Sequence, residues 1–183
     1  MLQGLDAGLP GTTSLGPAWT KQGILLMYKR ILLAYDGSVE GRTALREGAI
    51  LAKHAQARVY LLSIVSESSG LLAAEGAFAG VVDKEQETYR TILEDGVARL
   101  KELGLEPVAE LRVGEPGREI ASFAREIAAD LVVVGHRRRS GLQRWWGAGA
   151  GVRLLDLLDC SLLIARQDIS DSAWAATIET MGR

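Results

Sequence analysis

Leu131, Val132, Val133 and Val134 form a short apolar run that stops at Gly135. A basic, glycine-bearing loop follows (HRRRSGLQRWWGAGAG), then an apolar-periodic segment from Val152 to Leu158, then a second apolar run, Leu162 to Ala165. Apolar runs this short, bounded by turn residues, suit buried strands, and a helix between two of them suits a parallel crossover. A strand that ends on glycine and opens toward a helix is also where such a sheet receives ligands. The crevice beyond the strand's carboxyl end is open, and the next helix presents unpaired N–H groups and the positive end of its dipole. The segment from Asp130 to Arg166 therefore has the layout of an anion site.

The same alternation runs through the rest of the chain. Arg30 to Tyr35 (RILLAY) reads as a buried strand stopping at the turn Asp36-Gly37-Ser38. Ser38 is placed to N-cap a helix reaching about Gln56, with Ala44, Leu45, Ala49, Leu51 and Ala52 on its apolar side. Arg58 to Val65 (RVYLLSIV) is a second strand. Val82 to Leu103 carries Tyr89, Ile92, Leu93, Val97 and Leu100 at the spacing of one helical face and ends at Gly104. Pro107 to Val113 alternates and predicts a half-exposed edge strand. A helix from Gly117 to about Ala129 turns Ile120, Phe123, Ala124 and Ile127 inward. With the opening element, strand and helix alternate in the manner of an α/β domain with an open sheet covered on both faces.

Residues 1–27 show no period and predict a flexible N-terminal extension, with Met27 as a candidate native start. Ser66 to Gly80 is rich in small residues and reads as a mobile lid or partner loop. In the tail, residues 167–183, Ala173 to Ile178 form an apolar group suited to a short docked helix.

Composition narrows the function. The formal charge of −2 and a pI near 5.8 give no global attraction to nucleic acid, so anion binding must be local. Cys160 is the only cysteine, which excludes internal disulfides and a cysteine cluster and fits a reducing compartment. Two histidines, His54 and His136, are too few for a multi-histidine metal site. No apolar run approaches the roughly 18 residues of a spanning helix, and the N-terminus lacks a signal-peptide pattern. The expectation is a cytoplasmic protein that meets neither membrane nor nucleic acid.

Three loops are expected to meet at the strands' carboxyl ends: Asp36-Gly37-Ser38, the region after Ile64, and the loop after Gly135. Asp36 can accept hydrogen bonds from a base or ribose hydroxyl, or simply bond its own turn. There is no GxxxxGK[ST] sequence, and Gly147-Ala148-Gly149-Ala150-Gly151 lacks the spacing and position of a dinucleotide fingerprint. These glycines can expose backbone N–H groups to a phosphate, or form a plain loop. Arg137, Arg138 and Arg139 can neutralise phosphate or form a solvated face. Trp145 and Trp146 suit burial in a core or dimer interface more than stacking on a base. His136 has no evident proton-transfer partner and His54 reads as a surface residue. No Ser-His-Asp set or carboxylate pair stands at a catalytic spacing, so no enzyme is expected.

The element order, together with RILLAYDGS, VVVGH and the final SLLIAR, resembles the universal stress protein family over about Tyr28 to Arg166. The resemblance implies a body at residues 28–166 with a doubly wound five-stranded parallel sheet in the order 3-2-1-4-5. It implies a homodimer joined through the last strand, which would otherwise be an unpaired edge, and a nucleotide site, since many members bind ATP. The family's signature is Gly, two residues, Gly, nine residues, Gly, then Ser or Thr. Laid on this chain it keeps Gly135 but meets Arg138, Ala148 and Gly149 at the other three positions. Arg138 and Ala148 would put side chains where backbone approaches phosphate, and Gly149 lacks the hydroxyl donor. Loop length is kept. Gly147, Gly149 and Gly151 could rebuild an N–H cradle in a shifted register, with Ala150 as a further candidate, and Arg137 and Arg138 could replace lost donors. By position, Ala34 and Asp36 would face adenine and ribose, with Ile64 against the base. Two expectations follow, a dimer acting through protein partners without standard ATP binding, or an adenine-nucleotide-binding member with a modified phosphate loop, with an ATP-hydrolysing enzyme a distant third.

Overall fold

The computed structural model describes residues 27–66, 79–135, 154–166 and 169–181. The expected N-terminal extension up to residue 26, most of the Ser66–Gly80 stretch and the loop at 136–153 lie outside the described residues. The elements are β1 (Arg30–Ala34), α1 (Val39–Ala55), β2 (Arg58–Ser66), α2 (Ala79–Glu102), β3 (Val108–Gly114), α3 (Pro116–Glu126), β4 (Leu131–Gly135), α4 (Leu154–Leu157), β5 (Ser161–Ala165) and α5 (Asp171–Met181).

All five strands are parallel in the order β3-β2-β1-β4-β5, so β3 and β5 form the edges. Strict side-chain alternation divides the apolar residues between two faces. Ile31, Leu33, Val59, Leu61, Leu131 and Val133 meet Ala44, Leu45, Ala49 and Ala52 of α1, Leu93 and Leu100 of α2, and Trp174 of α5. Leu32, Tyr60, Leu62, Val132 and Val134 meet Ile120, Phe123 and Ala124 of α3 and Leu154 of α4. The sheet is thus doubly wound. The chain leaves β1 toward β2 on one side and returns to β4 on the other, so the crevice between the carboxyl ends of β1 and β4 is the topological switch point.

Below the sheet, Asp130 fixes the start of β1, its Oδ2 accepting from the backbone nitrogens of Lys29 and Arg30 at 2.8 Å each. On the α3 side of β3, Arg112 pairs with Glu110 and Glu126 and lies 4.6 Å over the Phe123 ring, tying this edge strand to α3.

Several boundaries differ from expectation. α3 stops at Glu126, not Ala129, because the chain turns through Ala128 at a left-handed φ of 47°. α2 begins before Val82, at Ala79. The tail helix is longer than Ala173 to Ile178, and the Ser170 hydroxyl, accepting from Ala173 N at 3.2 Å, serves its first turn.

Candidate site at the carboxyl ends of the central strands

The exit of β1 is tied down by its own residues. Tyr35 N donates to the Leu62 carbonyl at 2.8 Å, and the buried Ser63 hydroxyl donates to the Tyr35 carbonyl at 2.7 Å. The Tyr35 ring continues the inward alternation of Ile31 and Leu33, and its hydroxyl donates to Asp95 Oδ2 at 2.9 Å. The same carboxylate oxygen accepts from Arg99 Nε at 2.8 Å. Arg99 holds the Asp95 carboxyl below its ordinary range. Burial, and then the hydrogen bond to Asp95, pushes the Tyr35 phenol up to about 12.

This shift gives a pH prediction. The neutral phenol is favoured in the folded state, so its stabilisation is complete below the unfolded pKa near 10 and is lost as pH rises toward 12. Two units correspond to roughly 2–3 kcal/mol at most. Urea unfolding between pH 9 and 12 should show the wild type losing stability over this window, while Tyr35→Phe, starting lower, stays flatter. Parallel curves for the two would remove Tyr35 as the cause.

Beyond Tyr35 the chain turns at Gly37, whose φ of 72° favours glycine and whose carbonyl accepts from Arg42 at 2.7 Å. Asp36 Oδ1 accepts from Ser38 N at 3.0 Å and from the Ser38 hydroxyl at 2.5 Å. The Ser38 hydroxyl in turn accepts from Gly41 N at 2.9 Å, capping α1. Asp36 thus serves the turn and the helix start, its Oδ1 engaged by the Ser38 that follows it.

β4 ends beside the same helix start. A methyl group added at Gly135 would fall on the Glu40 carbonyl and lie 2.9 Å from Gly41 N, so only glycine lets the end of β4 touch the first turn of α1. Ala34, Ile64 and Gly135 stand at the carboxyl ends of three adjacent strands, β1, β2 and β4, with Ala34 and Ile64 half-buried on the α3 face. The structure therefore brings Ala34, Asp36, Ile64 and Gly135 to one end of the sheet. Arg137, Arg138, Gly147, Gly149 and Ala150 lie outside the described residues.

Sequence reasoning missed the Tyr35–Asp95–Arg99 chain and Arg42, which together clamp this end of the sheet. The available signals were the i, i+4 spacing of Asp95 and Arg99 on α2 and a tyrosine at an inward position just past a buried strand. Elsewhere, His54 is exposed, its Nδ1 2.9 Å from the Ile50 carbonyl of its own helix. Burial, followed by Asp130 and Asp159, pushes the Cys160 thiol up, which disfavours the reactive thiolate.

Among the described residues no helix is long and apolar enough to cross a membrane. Residues 27–166 match the sequence profile of the Universal stress protein family. The chain is 30% identical over 148 residues to universal stress protein YxiE of Bacillus subtilis, covering 76% of this chain and 100% of that protein. A universal stress protein family structure from Burkholderia pseudomallei superposes with a TM-score of 0.56 at 28% identity, covering 75% of this chain and 96% of that one. A universal stress protein crystallised in complex with cAMP superposes with a TM-score of 0.58 at 21% identity, covering 76% and 98%.

Proposed function

The chain belongs to the universal stress protein family, and from that footing we propose that it is a stress-response homodimer acting through protein partners without the family's standard grip on ATP. One observation carries this reading: of the four signature positions only Gly135 remains, and its retention has a packing cause. Gly135 is required by its contact with the Glu40 carbonyl, whatever the crevice holds. Its survival therefore gives no support to a phosphate site, while Arg138, Ala148 and Gly149 remove donors and add bulk. The engagement of Asp36 by Ser38 points the same way.

Assembly is supported by β5, which pairs with β4 on one side and ends the sheet on the other, with Leu162, Leu163 and Ile164 half-buried. The body at residues 28–166 is the working unit in this reading, in a reducing cytoplasmic setting, with no catalytic role.

The second reading is an adenine-nucleotide-binding member with a rebuilt phosphate loop, favoured by the gathering of Ala34, Asp36 and Ile64 at the carboxyl ends of adjacent strands. The cAMP complex of a structural neighbour supports a nucleotide ligand in this second reading. Equilibrium dialysis of the purified full chain against ATP separates the two. No saturation below millimolar ATP is expected; submillimolar affinity overturns the first reading and selects the second.

A further inference from the structure

α1 carries charged residues on a side that the sheet does not use. Arg46 lies on that side and is nevertheless only 8% exposed. Its hydrogen bonds run to the tail: the guanidinium donates to the Ile169 carbonyl and pairs with Asp171, and it lies 5.8 Å over the Trp174 ring. Trp174 is 5% exposed and belongs to the core cluster of α1, while Asp171, Ala173 and Ala175 around it are exposed. The tail is thus held by one buried aromatic anchor, Trp174, and the Arg46 cation, with Ile169 and Ile178 half-buried beside them. Within the seat the Trp174 indole Nε1 is buried and has no hydrogen-bond partner, a donor that this contact leaves unmade. The family match ends at residue 166, so this tail is an addition to the shared body.

We infer that the Arg46 face of α1 is a helix-docking site, occupied at rest by the chain's own C-terminal helix. The partner it fits is an amphipathic helix bearing an acidic residue three positions before a tryptophan, in the manner of Asp171 and Trp174. This deepens the reading above by giving the protein partner a place and a chemistry. The tail acts as a tethered competitor: the apparent affinity for an incoming helix falls in proportion to the fraction of molecules whose tail is unseated, about tenfold when about one in ten is open.

A fluorescent peptide of residues 167–183 is the probe. Fluorescence polarisation is followed to millimolar concentrations with the full-length wild type and with full-length Trp174→Ala, whose own tail cannot seat. Binding to Trp174→Ala at least tenfold tighter than to wild type is expected, and its loss with the doubly substituted chain Arg46→Ala/Trp174→Ala or with a Trp174→Ala peptide. Circular dichroism checks that each variant is folded. If Trp174→Ala is not, Asp171→Arg unseats the tail by charge reversal at an exposed residue and carries the same readout. A folded variant that leaves the peptide unbound, or binds it no better than wild type does, overturns the inference. ATP dialysis bears on the functional reading separately, so a failure of the docking site is distinguishable from a failure of that reading.

Discussion

Gly135→Ala lowers the stability of the fold by about 1–3 kcal/mol, with or without nucleotide present. The added methyl group meets the Glu40 carbonyl and the Gly41 nitrogen, both backbone atoms in the first turn of α1. No flexible side-chain end is available to move aside. Relief requires α1 to shift, yet Ala44, Leu45 and Ala49 fix that helix on β1 and β4, or requires β4 to leave its register opposite Ala165. Either movement disturbs the close packing of the interior. Urea denaturation should show a lower midpoint with an unchanged slope. Val39→Ala, at a position 61% exposed in the same turn, is the control and should stay within about 0.5 kcal/mol of wild type. An unchanged midpoint for Gly135→Ala would mean that β4 does not press on α1, and would remove the packing cause for this glycine.

What could be read from sequence was whatever local periodicity enforces. Ile31, Leu33 and Tyr35 against Leu32 and Ala34 announce a strand buried on both faces, and Val108 to Val113 announces an edge, because burial follows a period of two. The strand order came from resemblance, since a crossover helix of given length does not say which neighbour it reaches. Features that depend on meetings between distant segments were not readable. Gly135 suggested a ligand, whereas its neighbour is the Glu40 carbonyl 95 residues earlier in the chain. Nothing around Arg46 in the sequence marks it as buried, and it is buried because the tail folds over it. Ala128 carries no sign in its residue type that it takes a left-handed turn. Asp36 is intermediate: both its turn bonding and its place at the strand end follow from the DGS sequence, and the structure shows the turn bonding made.

The proposed loss of the phosphate grip at Arg138, Ala148 and Gly149 is tested most directly by the ATP affinity of the full-length wild type beside that of Arg138→Gly/Ala148→Gly/Gly149→Ser. The triple variant restores the glycines and the hydroxyl of the family signature while leaving loop length, Gly135 and Asp36 in place. A hydroxyl bonded to a charged phosphate contributes roughly 1.5–3 kcal/mol, and two removed side chains let backbone N–H groups approach. Together these correspond to a gain of about a hundredfold or more, at 1.4 kcal/mol for each factor of ten. The predicted result is no saturation of the wild type below millimolar ATP and submillimolar binding by the variant. Submillimolar binding by the wild type, with no gain on restoration, would contradict it and return the loop after Gly135 to the role of a working phosphate site.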